Sequence, residues 1–117
     1  MDAAALCKMA KRGQIVGGVL DGPLAFDNAI SRAAAEAKDI HSEVAGDADI
    51  LIVPDLEAGN MIAKQLIYLA GADAAGIVMG ARIPIVLTSR ADGLLSRLAS
   101  TAIAQLVVHA RTRDLKV

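Results

Sequence analysis

The sequence predicts an α/β fold, a layered sheet of about four mostly parallel strands flanked by helices. Three observations carry that reading. Segments of helical period alternate along the chain with short β-branched runs, the pattern of crossover units. The composition is 55% hydrophobic but only 2% aromatic, so the core must be assembled from Ala, Val, Ile and Leu, as it is where helices pack on a parallel sheet. Three apolar runs also end in polar loops that open a helix, at Asp21–Asn28, Pro54–Asn60 and Thr88–Asp92. Strand ends and free helix amides meet at such junctions, where α/β proteins gather a ligand.

The 117 residues suffice for one domain with a single modest core, and residues 1–117 are read as one piece. Ala3–Arg12 reads as a helix with Leu6, Met9 and Ala10 on its inner face. Lys8, Lys11 and Arg12 suit its C-terminal dipole, and Gly13 ends it. No strand precedes this helix, as in the middle of a larger fold. Gln14–Leu20 reads as a strand weakened by Gly17 and Gly18, and Asp21-Gly22-Pro23 breaks it. Asp27 or Asn28 can cap a helix to about Lys38, with Ile30, Ala33, Ala34 and Ala37 inward, and the polar stretch His41–Asp49 reads as a surface connection.

Asp49–Val53 is the clearest strand, Pro54–Gly59 its loop, and Asn60–Ala70 a helix that buries Ile62, Leu66 and Leu69 and stops at Gly71. Ala74–Met79 and Ile83–Leu87 read as two more strands. Asp92 can cap the last helix, whose Leu94, Leu95, Leu98, Ala102, Ile103, Leu106 and Val107 form a broad apolar stripe. The tail Thr112–Val117 is expected to fray. Taken as a complete chain, so apolar a domain would bury part of this surface against another subunit.

With 12 basic and 13 acidic residues and no basic block, charge-driven nucleic-acid binding is disfavoured. The single cysteine, Cys7, permits no intrachain disulfide and reads as a buried structural thiol. No apolar run approaches the roughly 18 residues a bilayer span needs, and the N-terminus lacks the order of a signal peptide. A soluble, cytoplasmic protein without membrane contact is expected.

Taken singly, Asp21 and Asp55 read first as strand terminators and turn caps. In combination the three loops describe an anion site. Gly59-Asn60 and the helix they open offer backbone N–H groups, Ser89 a hydroxyl, and Arg90 a guanidinium that can hold two phosphate oxygens at once. A surface ion pair explains Arg90 equally well. The glycines match neither dinucleotide nor P-loop spacing, and there is no G-x-S-x-G elbow. His41 and His109 are isolated from each other and from any cysteine pair, so no metal is expected.

The motifs D-G-P-L-A-F-D-N-A at Asp21–Ala29, V-A-G-D-A-D-I-L-I-V-P-D-L-E-A-G-N at Val44–Asn60 and L-T-S-R at Leu87–Arg90 resemble the phosphate acetyl/butyryltransferase family. The likeness runs from the first helix to the last, and the T-S-R-A-D form looks closer to the butyryltransferase-like branch. What the resemblance implies is reversible acyl transfer between coenzyme A and inorganic phosphate. It implies no cofactor beyond coenzyme A as substrate, no metal, and a cleft between two α/β domains of an isocitrate/isopropylmalate dehydrogenase-like fold, in homodimers. On the same resemblance Ser89 and Arg90, with Asp92 as the nearest carboxylate, carry the chemistry, while Asp21, Pro23, Asp55, Glu57, Gly59 and Asn60 line the cleft.

Two departures qualify it. The acetyltransferase branch carries an Asp seven residues after the family Ser, and this chain has Ser96 there. Family catalytic regions are also much longer, so the chain resembles the C-terminal portion and is expected to be inactive alone. The alternative is a non-catalytic acyl-CoA- or phosphate-binding module, or an inactive fragment.

Overall fold

In the computed structural model the described residues are Met1–Asp114, and Leu115–Val117 lie outside them. The chain forms two compact units, Met1–Val53 and a second that begins at Pro54.

The first unit is helical. α1 (Asp2–Lys11) ends as its sequence requires: Gly13 takes φ 73°, the Gly13 N–H donates to the Ala10 carbonyl at 2.9 Å and the Gln14 N–H to the Met9 carbonyl at 3.0 Å. Those two bonds close a Schellman motif, which favours glycine at the left-handed position. The helix turns Ala3, Cys7 and Ala10 inward and leaves Leu6 and Met9 just over a third exposed, so its inner face is the small-residue one rather than the predicted Leu6–Met9–Ala10 face.

The helix predicted from Asp27 or Asn28 to Lys38 is two, α2 (Phe26–Ile30) and α3 (Arg32–Ala37). Ser31 separates them in extended conformation and caps the second through its hydroxyl, which accepts the Ala34 N–H at 3.3 Å. Serine competes for backbone donors and so favours a cap over a helix interior. Neither Asp27 nor Asn28 caps α2: Ala25 takes that position, without a side-chain bond.

His41–Asp49 is more than a surface connection. Ser42 Oγ accepts the Val44 and Ala45 N–H groups, Ala45 is buried, and Gly46, at φ 85°, lies against α3. A Cβ at Gly46 would stand 2.4 Å from Arg32 Cα, so only glycine fits.

The second unit holds α4 (Leu56–Leu69), β1 (Ile77–Val78), β2 (Ile85–Val86) and α5 (Leu94–Asp114). Gly71, at φ 66°, follows the end of α4 as predicted. β1 and β2 pair antiparallel, Ile77 with Val86 and Val78 with Ile85. The expected sheet of about four mostly parallel strands is not formed among the described residues: their sheet has two strands, which make a hairpin. A parallel pair needs a crossover of about a dozen residues or more, and Met79–Pro84 is too short to supply one. Gln14–Leu20 and Ile50–Val53 form no ladder among the described residues; Val16 is 82% and Ile52 80% exposed.

α5 packs on the hairpin, and its buried or half-buried residues Ser96, Ser100, Ala104, Val107 and Arg111 recur every three or four residues and share one face. Ser100 is fully buried; its hydroxyl donates to the Ser96 carbonyl at 2.6 Å and accepts the Gly76 N–H at 3.0 Å. Three turns on, Arg111 donates to the Ala81 carbonyl at 2.9 Å. The predicted leucine stripe points elsewhere: Leu94, Leu95, Leu98 and Leu106 are exposed. In α4 Ile62 is half-buried, but Leu66 and Leu69 are exposed rather than buried. Thr112–Asp114 continue α5 instead of fraying, and the rest of the predicted tail lies outside the described residues.

Candidate functional site

The P-D-L-E-A-G-N stretch is a helix start, not a loop. α4 begins at Leu56, four residues earlier than predicted, because Asp55 caps it: Asp55 Oδ1 accepts the Ala58 N–H at 2.7 Å. Glu57 lies in the first turn, where a carboxylate suits the dipole. The Gly59 N–H already donates to the Asp55 carbonyl at 3.1 Å, and Asn60 is inside the helix. The expected free amides at Gly59-Asn60 are therefore spent. The protein's own carboxylate sits where an external anion would otherwise bind.

Asp21 and Pro23 lie in the first unit, on irregular chain rather than at a strand end. Asp21 Oδ1 accepts the N–H of Gly22 at 2.7 Å, and the Gly22 carbonyl accepts a weak bond from the Cys7 thiol at 3.7 Å. Cys7 is thus a half-buried, hydrogen-bonded thiol. The parallel sheet edge that was to gather the three loops is not formed by the described residues.

Ser89–Asp92 is a turn closed by its own hydrogen bonds. Asp92 Oδ2 accepts the Ser89 N–H at 2.6 Å, and the Asp92 N–H returns to the Ser89 carbonyl at 3.1 Å. The Ser89 hydroxyl accepts the Ala91 N–H at 3.3 Å, leaving its own proton available to a ligand. Asp92 does not cap α5. That helix starts at Leu94, and its first backbone bond runs from Arg97 to the Gly93 carbonyl. Arg90 stands exposed within the turn, and no carboxylate of the described residues pairs with it. The surface ion pair that would have explained Arg90 is absent among them.

Beside this turn lies an open concavity of about 290 Å³, formed within the second unit. Ala91, Asp92 and Gly93 supply one wall, Leu95 and Ser96 the first turn of α5, and Lys64, Ile67 and Tyr68 the facing part of α4. Ser96 thus faces the same concavity as Asp92. None of Asp55, Glu57, Gly59 and Asn60 lines it. Lys64, Tyr68 and Asp73 do, and sequence reasoning missed them because only the residues before Lys64 carried a motif. The helical register could have found Lys64 and Tyr68: they stand four apart, on one face.

The sequence profile of the family described as phosphate acetyl/butaryl transferase matches residues 1–105. The chain belongs to that family. It is 68% identical over 111 residues to a phosphate acetyltransferase of Rhizobium meliloti, a match covering 95% of this chain and 35% of that protein. It is 49% identical over 107 residues to a phosphate butyryltransferase of Clostridium beijerinckii, covering 92% and 35%. A branched-chain phosphotransacylase from Enterococcus faecalis V583 superposes with a TM-score of 0.71 at 35% identity, over 87% of this chain and 39% of that one. The chain therefore spans about a third of the length of the curated relatives it matches. These identities do not favour the butyryltransferase-like branch that the T-S-R-A-D form suggested.

Proposed function

We propose that the chain carries part of a phosphate acyltransferase centre, acyl-CoA plus phosphate giving acyl phosphate plus CoA, with Ser89, Arg90 and Asp92 as its chemical groups. The observation that carries this reading is the Ser89–Asp92 turn. It fixes a hydroxyl beside an exposed guanidinium and leaves both able to donate. In the forward direction a phosphate oxygen attacks the thioester carbonyl, a C–O bond forms, the C–S bond breaks, and CoA leaves as thiolate. Phosphate and the tetrahedral intermediate are both anionic, so donors aimed at them lower the barrier. The Arg90 fork suits two phosphate oxygens, and the Ser89 proton suits the developing oxyanion.

In the reverse direction the CoA thiol must lose its proton before it attacks the acyl phosphate. Asp92 is the carboxylate placed to accept it, at the wall of the concavity and three residues from Ser89. Asp55 and Glu57, with Gly59 and Asn60, serve in this reading to start α4 rather than to touch the reacting atoms, and Asp21 and Pro23 shape the first unit. The fuller parallel sheet of a dehydrogenase-like fold, the homodimer and a cytoplasmic setting belong to the same proposal. The exposed apolar runs at Gln14–Leu20 and Ile50–Val53 support it as unpaired strand sequence. Among the described residues no helix is long and apolar enough to cross a membrane.

The test measures CoA release from butyryl-CoA and phosphate, by this chain alone and by the chain mixed with the remaining portion of a relative. Turnover only in the mixture is the expected result, because the chain spans about a third of its relatives. Binding of CoA or phosphate without turnover in either case would favour a non-catalytic binding module. Robust turnover by the 117 residues alone would refute the need for further chain.

A further inference from the structure

We propose that Lys64 is a phosphate-holding residue of this centre, a role that rests on the acyltransferase reading above. Lys64 sits in the third turn of α4, half-buried, and lines the concavity with Asp92 and Ser96. Its ammonium lies 5.8 Å from the centroid of the Tyr68 ring, one turn further along the same helix face. A cation–π contact of this kind orients a lysine without cancelling its charge, unlike an ion pair.

No carboxylate of the described residues lies within ion-pair distance of Lys64, although Asp73 and Asp92 line the same concavity. Asp92 is committed through Oδ2 to the Ser89 N–H, and Asp73 is exposed, where water and salt screen it. Lys64 is the one cation among the residues lining the concavity. Removing it would leave two carboxylates facing an incoming anion.

The surrounding chemistry indicates what the ammonium is for. Ala91, Asp92 and Gly93, which continue directly from Arg90, form the opposite wall. A phosphoryl group in the concavity would thus meet a point charge from α4, while Arg90, which does not itself line the concavity, stands one position before Ala91 in the turn. The volume is just below the roughly 300–1,000 Å³ of ligand sites in general. It suits a phosphoryl group with a short acyl arm, or one phosphate of CoA, rather than a whole nucleotide.

Calorimetric titration of the chain with inorganic phosphate, acetyl phosphate and CoA, in wild type, Lys64→Met, Lys64→Arg and Arg90→Ala, tests the role. Lys64→Met is expected to weaken a phosphate-bearing ligand about tenfold or more and to flatten the salt dependence of its binding, as loss of one phosphate contact does. Lys64→Arg should keep most of the affinity. Met preserves the aliphatic stem over Tyr68, so a purely structural lysine would show neither change. Weakening of inorganic phosphate and acetyl phosphate places Lys64 on the transferred phosphate, and weakening of CoA alone places it on a CoA phosphate. Wild-type affinity for all three ligands in Lys64→Met, with affinity lost in Arg90→Ala, overturns the role and leaves the centre standing. Failure of the wild-type chain to bind any of them, alone and mixed with the remaining portion of a relative, overturns both.

Discussion

Asp55 and Asp92 make nearly the same bond and have opposite consequences. Each carboxylate accepts a backbone N–H three residues away, at 2.7 Å from Ala58 and at 2.6 Å from Ser89. The Asp55 bond runs forward along the chain, so it closes the N-terminus of α4 and fills the anion position of that helix. The Asp92 bond runs backward, so it ties the end of a turn to its beginning. What it encloses is not a helix start but Arg90 and Ala91, and the guanidinium remains exposed. The direction of one hydrogen bond thus separates a stretch that builds the fold from the one we propose as a ligand site.

The largest effect expected from this contrast is at Arg90. Charge-assisted bonds are worth about 1.5–3 kcal/mol each, so Arg90→Ala should lower phosphate affinity by about one to two orders of magnitude, read by calorimetry. Unchanged affinity would remove the Ser89–Asp92 turn from the site and collapse the contrast. Next comes Asp92. Asp92→Ala frees the Ser89 N–H and loosens the turn, and about a tenfold loss of phosphate affinity is expected. Asp92→Asn keeps an oxygen that can accept the same N–H, so it should retain binding. If Asn behaves like Ala, the carboxylate's charge matters and its bond to Ser89 does not.

Asp55 should behave in the reverse way. Asp55→Ala is expected to cost about 1 kcal/mol of stability in urea unfolding, the usual worth of an N-cap, with phosphate affinity unchanged. Loss of affinity with unchanged stability would return Asp55 to the ligand and undo the distinction between the two aspartates.

The sequence revealed helices better than strands, and motifs better than faces. Gly13 and Gly71 end their helices as predicted because a left-handed residue there is a local requirement. The Ser89-Arg90 segment was expected as a loop between the last apolar run and the last helix, and it is one. The sheet was not legible, since pairing is a property of two segments and neither records its partner. Even so, the few residues between the two predicted strands Ala74–Met79 and Ile83–Leu87 already excluded a parallel crossover. Faces were misread for a different reason. Hydrophobic periodicity selects the leucines, but α1 and α5 approach their neighbours through Ala3, Cys7 and Ala10 and through Ser100 and Ala104, where small side chains permit close backbone contact. Lys64 stayed hidden because its register shows that it shares a face with Tyr68 but not that this face borders a concavity.

A third aspartate sets the scale for the other two. Asp27 accepts from an ammonium rather than an amide: Lys38 Nζ stands 2.7 Å from Oδ2, joining α2 to the end of α3. The Lys38 bond holds the Asp27 carboxyl below the ordinary aspartate range, partly opposed by desolvation. A lowered folded pKa means that the bond's stabilisation is present above the unfolded value of about 3.9 and fades as pH falls through the folded one. Both side chains are about half exposed, so this is the smallest effect of the set, and salt should diminish it further. Lys38→Met should raise the Asp27 pKa toward the ordinary range in a carboxyl-carbon NMR titration. A shift at Asp27 that survives both the substitution and high salt would mean that backbone donors hold it too.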